Sequence, residues 1–285
     1  MEATIRLGSF AAVFIAMALW EWRRPRLTLA QGRGSRWPAN LGITVLDTVL
    51  VRLTVGAAAV QAALLAAERG WGLFHAVAVP GWVAFVASWA MLDFAIYLQH
   101  ILVHAVPLLW RLHQVHHADL GFDVTTGLRF HPLEIFLSLG FKVACVAAIG
   151  PPAGAVILFE VLLNAGSLFN HGNVAIPAGI DRWLRWLIVT PDMHRVHHSA
   201  VAAETNTNFG FSVSLWDRLC GTYRAQPVAG HAGMTIGVAH LRDPARLGLL
   251  HLLWLPFTGR LGGYSFRGRR DLREERPAAI VGGGS

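Results

Sequence analysis

The chain has 285 residues, 54% of them hydrophobic, a mean hydropathy of +0.46 and only 14% charged side chains. Soluble domains carry roughly one charged residue in four, so the composition argues against an ordinary soluble enzyme and for a membrane protein. The formal charge of +7 does not point to nucleic acid, because the basic residues are grouped between apolar runs, as in cytoplasmic loops of membrane proteins.

Residues 5–22 form the first apolar segment. It lacks a basic leader and a small-residue cleavage site, so it reads as a retained span. The next loop holds Arg23, Arg24, Arg26, Arg33 and Arg36 with no acid among them. Residues 41–67, interrupted by Asp47 and Arg52, are the second segment, and residues 81–104 the third. Segments 133–149 and 153–169 flank Pro151-Pro152 and read as a helical hairpin with a tight turn. Each half is a little short of the ~20 residues that cross a bilayer, so four or five crossings are expected. Between the second and third segments the only arginine is Arg69, beside Glu68. The positive-inside bias therefore puts the first loop in the cytoplasm, and everything after Asn170 returns to that side. Residues 247–257 are too short to cross and are expected in the interface. Cys145 and Cys220 form neither a CxxC nor a framework, so structural disulfides are not expected. The closing GGGS reads as an expression scar. The fold class is an all-α integral membrane protein, its transmembrane helices carrying a cytoplasmic-side helical cap with the histidines. Three parts are expected: 1–80 with the first helices and basic loop, 81–225 with the chemistry, and 226–285 as a cytoplasmic tail containing the interfacial segment.

Ten of the fourteen histidines fall at one membrane face in that topology. His100 and His104 share one side of a helix whose ~35 Å length exceeds the ~30 Å hydrocarbon core, so its last turn clears the lipid. Pro107 ends that helix, and a new one carries HQVHH, with His113, His116 and His117 converging on a face. His131 precedes the hairpin and His171 follows it. Thr190-Pro191-Asp192 is a helix start, with an N-cap threonine, proline in the first turn and an acid after it. HRVHH follows, aligning His194, His197 and His198. A lone interfacial histidine is most often a satisfied polar residue, and His75, His231, His240 and His251 are read that way. The clustered rings are read as metal ligands, because burying so many unpartnered nitrogens would cost about a kcal/mol or more each. Eight to ten nitrogen ligands are too many for one ion and give two ions four or five each. Structural zinc closes at four ligands and catalytic zinc takes three, and HExxH is absent. Redox iron fits better.

HILVH (100–104), HQVHH (113–117), NHGN (170–173) and HRVHH (194–198) resemble the eight-histidine boxes of the sterol desaturase and fatty acid hydroxylase superfamily. DFAIYLQH before the first box, LRFHPLE after the second, TPDMHRVHHS around the last, and NFG followed by WDRLCGTY agree with it. The resemblance covers roughly residues 85 to 223. It implies a non-haem di-iron enzyme, with two iron ions as cofactor, that uses O2 and two external electrons to hydroxylate or desaturate a lipid C–H bond. Carried over by position, the ligands are His100, His104, His113, His116, His117, His171, His194, His197 and His198, with His131 auxiliary. Some members have a further histidine where this chain has Ser167, which leaves room for a water, Asn164 or Asn170.

Asp93, which matches a family phrase, and Asp119, Asp192 and Glu134 are candidates for orienting the rings. Capping is the competing role for the last three. Asn208 is a candidate partner for a metal water or, equally, a turn residue. Trp216 is read as an interface anchor, and Lys142 and Glu160 inside the hairpin as a mutual pair or, for Lys142, a snorkelling side chain. With no GxGxxG, P-loop or CxxCH, the chain is expected to receive electrons from a separate ferredoxin or cytochrome-type donor. Arg182, Arg185 and Arg195 are possible contacts for it, lipid headgroups being the alternative. A zinc-dependent membrane hydrolase and a non-enzymatic metal-binding protein are the competing functions.

Overall fold

Away from water, backbone N–H and C=O groups must bond within their own segment, so long apolar runs become helices. The computed structural model describes residues 2–258 and 260–265; the closing GGGS lies outside them. Seven helices build the membrane body and its lower edge: α1 (Glu2–Arg23), α2 (Arg33–Thr54), α3 (Ala58–Arg69), α4 (Gly81–Ala105), α5 (Pro107–His117), α6 (Pro132–Ile149) and α7 (Ala153–Asn170). Five stretches are long and apolar enough to cross a membrane: Thr4–Arg23, Arg33–Ala76, Gly81–Ala105, Pro132–Ile149 and Ala153–Asn170. Shorter helices, including α8 (Ala178–Leu184), α9 (Pro191–His197) and α10 (Leu249–Thr258), complete a cap. Among the described residues there is no β-strand, only three isolated bridges, Pro25 with Val174, Ile188 with Val213 and Ser199 with Ile236.

The second apolar segment is not the single run 41–67. α2 begins at Arg33 and stops at Thr54, and α3 starts afresh at Ala58. Between them Gly56 has φ +54°, a left-handed conformation that only glycine adopts without penalty. The small residues Ala59, Val60 and Ala63 of α3 then pack against Leu92 and Ile96 of α4, Val146 and Ile149 of α6, and Val156 and Phe159 of α7. Small side chains allow such close approach between helices in lipid, where packing rather than water exclusion holds them together. Lys142 and Glu160 do pair across the hairpin, at 2.5 Å, and Arg6 joins the same carboxylate at 3.1 Å.

The arginine-rich loop packs into the cap. Arg26 N–H donates to the Asn173 carbonyl at 2.9 Å, and Ala175 N–H to the Arg24 carbonyl at 3.1 Å. Glu21, at the end of α1, accepts from the backbone N–H of Val124 (2.7 Å) and of Asn173 (2.8 Å). Arg26 donates to Asp192, and Arg33 faces Glu21. Arg36 is buried and forks onto Asp119, Nε to Oδ1 at 2.6 Å and Nη2 to Oδ2 at 2.7 Å, while Nη1 reaches Asp123 at 2.7 Å. Burial by itself would raise the Asp119 carboxyl, but the Arg36 guanidinium overrides that and holds it well below the usual range. Gly121 leaves room for this fork, since a Cβ there would lie 2.5 Å from the guanidinium carbon and push the Arg36 side chain aside.

The described part of the expected tail folds back onto the histidine layer. α10 buries Leu252 and Leu255 against Ala39, Ile43, Val115 and Ala118. Leu250, Trp254 and Phe257 on its other face are exposed, as an interfacial helix requires. Tyr264 stacks on Trp110 with ring centres 5.5 Å apart.

Candidate metal centre

Four segments bring nine imidazoles to one place, none of them more than 3% exposed. α4 ends with His100 and His104, and Val106 is extended (ψ 116°) before Pro107 starts α5. This bend turns α5 so that His113, His116 and His117 meet the first pair. His171 is the residue that caps α7. Thr190 caps α9, its hydroxyl accepting from Met193 N–H at 3.4 Å, and His194, His197 and His198 follow. The rings divide into two groups, His100, His104, His113, His117 and His197 in one, and His116, His171, His194 and His198 in the other. In each group, one ligand atom per residue lies within 4.8 Å of all the others. The groups touch: the His117 and His198 rings stack at 4.4 Å, and His113 and His116 are 5.2 Å apart.

The outer nitrogens are held, and this sets the tautomer. His100 Nδ1–H donates to the Phe209 carbonyl at 2.7 Å and His197 Nδ1–H to that of Thr207 at 2.8 Å. His104 Nδ1–H donates to Asn206 Oδ1 at 3.2 Å, and His113 Nδ1–H to Glu134 Oε1 at 2.6 Å. With the proton on Nδ1, each Nε2 presents a lone pair. Nε2 of His100, His104, His113, His117 and His197 is buried with no hydrogen-bond partner among the described residues. His171 Nδ1–H donates to the Ser167 carbonyl at 2.7 Å, and its Nε2 sits 3.1, 3.1 and 3.2 Å from Nε2 of His116, His194 and His198. With metal–nitrogen bonds of about 2.0–2.1 Å, neighbouring ligands of one ion are about 3.0–3.4 Å apart. Lone pairs converging at that spacing repel unless a cation lies among them. The residues therefore fit two metal ions.

Electrostatics agree with that fit. Burial, reinforced by neighbouring rings, pushes His116, His117, His194 and His198 well below the usual imidazole range. Burial is also the main cause that brings His171 and His197 down to about 3. Neutral imidazole is the form that binds metal.

Glu134 is the one carboxylate candidate that touches a ligand ring. Asp119 and Asp192 are engaged with Arg36 and Arg26, and Asp93 Oδ2 accepts from Trp216 Nε1 at 2.8 Å. Trp216 is thus a tether between the cap and α4. His131 lies outside both groups. Its Nδ1 accepts from Leu133 N–H at 3.2 Å, capping α6, and its Nε2 donates to the Leu253 carbonyl at 3.2 Å. Asn208 is a turn residue, with φ +54°, and its amide is fully used: Nδ2 donates to the Met193 and Arg224 carbonyls and Oδ1 accepts from Arg224 N–H, all at 2.8 Å. Asn170 donates to Phe211 and Asn164 to Glu160, while Ser167 supplies a carbonyl to His171. Arg185 and Arg195 are buried and unavailable to a docking protein, Arg185 pairing with Asp181 and Arg195 lying over Phe122. His75, His231, His240 and His251 belong to neither group. What sequence reasoning missed is the 206–209 loop, whose carbonyls and amide aim three rings. The sequence drew attention there only to Asn208 and the phrase NFG at 208–210, neither of which marks those contacts.

A cavity of about 810 Å³ meets the first group at His100 and His113 and runs into the membrane body between α1, α2, α6 and α7. None of His116, His171, His194 and His198 lines it. Phe130 stacks on His116 at 4.4 Å, and Phe122 covers His198 at 5.2 Å.

The Fatty acid hydroxylase family matches residues 85–222. The chain is 29% identical over 191 residues to ornithine lipid hydroxylase OlsE of Rhizobium tropici, covering 66% of this chain and 53% of that protein. It is 26% identical over 180 residues to alkylglycerol monooxygenase of Homo sapiens, covering 61% and 38%. Against cholesterol 25-hydroxylase of Rattus norvegicus it is 27% identical over 140 residues, covering 48% and 45%. The chain thus spans about half, or less, of the length of these curated relatives. No solved structure matches it. The histidine boxes, the helical membrane body and these relatives agree, and the region 85–222 fits the fatty acid hydroxylase family, within the sterol desaturase and fatty acid hydroxylase superfamily.

Proposed function

We propose that the protein is a membrane-bound, O2-dependent lipid hydroxylase whose nine grouped histidines hold two iron ions. The observation that carries this reading is a pair of inward-facing sets of imidazoles, one of which meets a cavity that runs into the membrane body. The names of the relatives, each a hydroxylase or monooxygenase of a lipid, support hydroxylation over desaturation. The reaction balances as R–H + O2 + 2 e⁻ + 2 H⁺ → R–OH + H2O. Iron, when bound, supplies the redox chemistry with O2. The chain's own contributions are positional. Glu134 and the carbonyls of Phe209 and Thr207 fix ring orientation, because a hydrogen bond to the outer nitrogen raises ligand basicity and holds the ring. The cavity holds an apolar chain beside His100 and His113 and excludes bulk water.

The active side is cytoplasmic in this reading, since the arginine-rich loop and the histidines occupy one layer and positive loops stay inside. The two electrons come from a separate ferredoxin or cytochrome-type donor. Residues 81–225 are the catalytic unit, with Arg36 and Tyr264 buttressing it from either side. Purified protein in lipid nanodiscs, reconstituted with iron, a reductant and ¹⁸O2, is expected to bind two iron ions per chain and give a lipid product heavier by one ¹⁸O atom. Two tightly bound zinc ions with O2-independent lipid cleavage would overturn the reading.

A further inference from the structure

The large cavity has a charged wall that a pure hydrocarbon or sterol substrate does not need. Its lining includes Asp47, Glu134, Glu160, Arg6, Arg52 and Lys142. Glu134 is committed to His113, and Glu160 is shared by Lys142 and Arg6. Asp47 differs from both. It is 7% exposed, its Oδ1 has no hydrogen-bond partner among the described residues, and it makes no ion pair among them. An unpaired carboxylate at membrane depth is costly, and such groups mark functional contacts.

Its position in the fold is defined by α2. Asn40 donates to Asp119 Oδ2 at 3.0 Å, and Thr44 to the Leu128 carbonyl at 3.1 Å, both in the histidine layer. Asp47 follows Thr44 by three residues, about 4.5 Å of helix rise. Lys142 lies eight residues beyond Glu134 on α6, about 12 Å further along that helix. The cavity therefore has Asp47 and Glu134 near the metal layer and the Lys142–Glu160–Arg6 cluster further along, and its lining also includes Phe10, Phe14, Ile96, Ile135 and Leu139.

We propose that Asp47 binds the ammonium group of the substrate, which is a lipid with a cationic, N–H-bearing headgroup entering the cavity at its metal end. This rests on the lipid hydroxylase reading above and narrows its substrate class. A carboxylate meets ammonium through charge-assisted hydrogen bonds that a neutral hydroxyl cannot match. Glu160 at the far end is already held by Lys142 and Arg6, so Asp47 is the carboxylate open to the head and the chains take the apolar stretch.

The test is binding, which does not require turnover. Delipidated protein in detergent micelles is titrated with phosphatidylethanolamine, with its N-acetyl derivative, and with diacylglycerol, and bound lipid is counted by native mass spectrometry. Wild-type protein is expected to hold phosphatidylethanolamine at least tenfold more tightly than either probe that lacks an ammonium group. Asp47→Asn keeps the shape and hydrogen bonding of a protonated acid and loses only the charge. It is expected to erase the preference while metal content stays that of wild type, and Asp47→Glu to keep part of it. Equal wild-type affinities for the three lipids overturn the proposal, as does an unchanged preference in Asp47→Asn. If the variants do not fold, as metal content reports, the wild-type comparison alone decides. Selective binding without oxygenation would sink the hydroxylase reading but not Asp47's role. Oxygenation without selectivity would do the reverse.

Discussion

Glu134 Oε1 lies 2.6 Å from Nδ1 of His113, at the first turn of α6 and the end of α5. The contact joins two helices and fixes which nitrogen of the ring faces inward. Glu134→Ala is expected to lower metal affinity about 10- to 100-fold, while Glu134→Gln, which still accepts at its amide oxygen, loses less. Competition with a calibrated chelator measures both. Equal affinity in wild type and Glu134→Ala would show that the carboxylate is not what orients His113.

Gly127 is a packing requirement of the second histidine group. A Cβ there would stand 2.6 Å from the Ser167 carbonyl oxygen and 2.9 Å from His171 Nδ1. Gly127→Ala must therefore break the Ser167–His171 hydrogen bond or displace the ring. Metal analysis is expected to show the loss of about one ion per chain, with the membrane helices intact by circular dichroism. Retention of both ions would mean that α7 shifts without cost.

Arg36 neutralises two buried acids from 83 and 87 residues away. Breaking a buried pair on one side costs about 3–5 kcal/mol. Arg36→Ala is expected to lower the melting temperature of the detergent-solubilised protein by many degrees. Arg36→Lys keeps the charge but not the fork, and is expected to recover only part of the loss.

The metal-stripped protein is expected to be acid-labile in a defined window. Burial holds His171 and His197 at about 3 in the fold, against about 6.5 in an unfolded chain. Below 6.5 the unfolded chain therefore takes up protons that the folded chain refuses. Each such ring removes roughly 1.4 kcal/mol of stability per pH unit until the pH nears 3. Melting curves of stripped protein from pH 8 to pH 4 check this: stability should be flat above about 7 and fall below 6.5. Metal-loaded protein should resist until protons compete for the ligand nitrogens.

The histidine spacing was legible because it is local. Rings three and four apart share a helical face whatever surrounds them, and Pro107 and Thr190-Pro191 mark where the carrying helices begin. Glu134 was legible for the same reason, being an acid in the first turn of a predicted helix. Other features depend on partners far away in the chain. Arg36 looks like any basic loop residue until Asp119 and Asp123 close on it, and Glu21 looks like a span end until Val124 and Asn173 arrive. Arg185 and Arg195 read as surface cations and are buried. The break at Gly56 was hidden because hydropathy continues across it while the backbone does not. The carbonyls of Thr207 and Phe209 carry no sequence signature, since every residue has one.

The cavity reaches His100 and His113, whereas His116, His171, His194 and His198 lie outside its lining and behind aromatic rings. Two ions held there are consequently inequivalent. One would border the apolar cavity at His100 and His113, and the other would sit behind Phe122 and Phe130. Spectra of a half-loaded sample would thus report a single, predictable occupant rather than a statistical mixture.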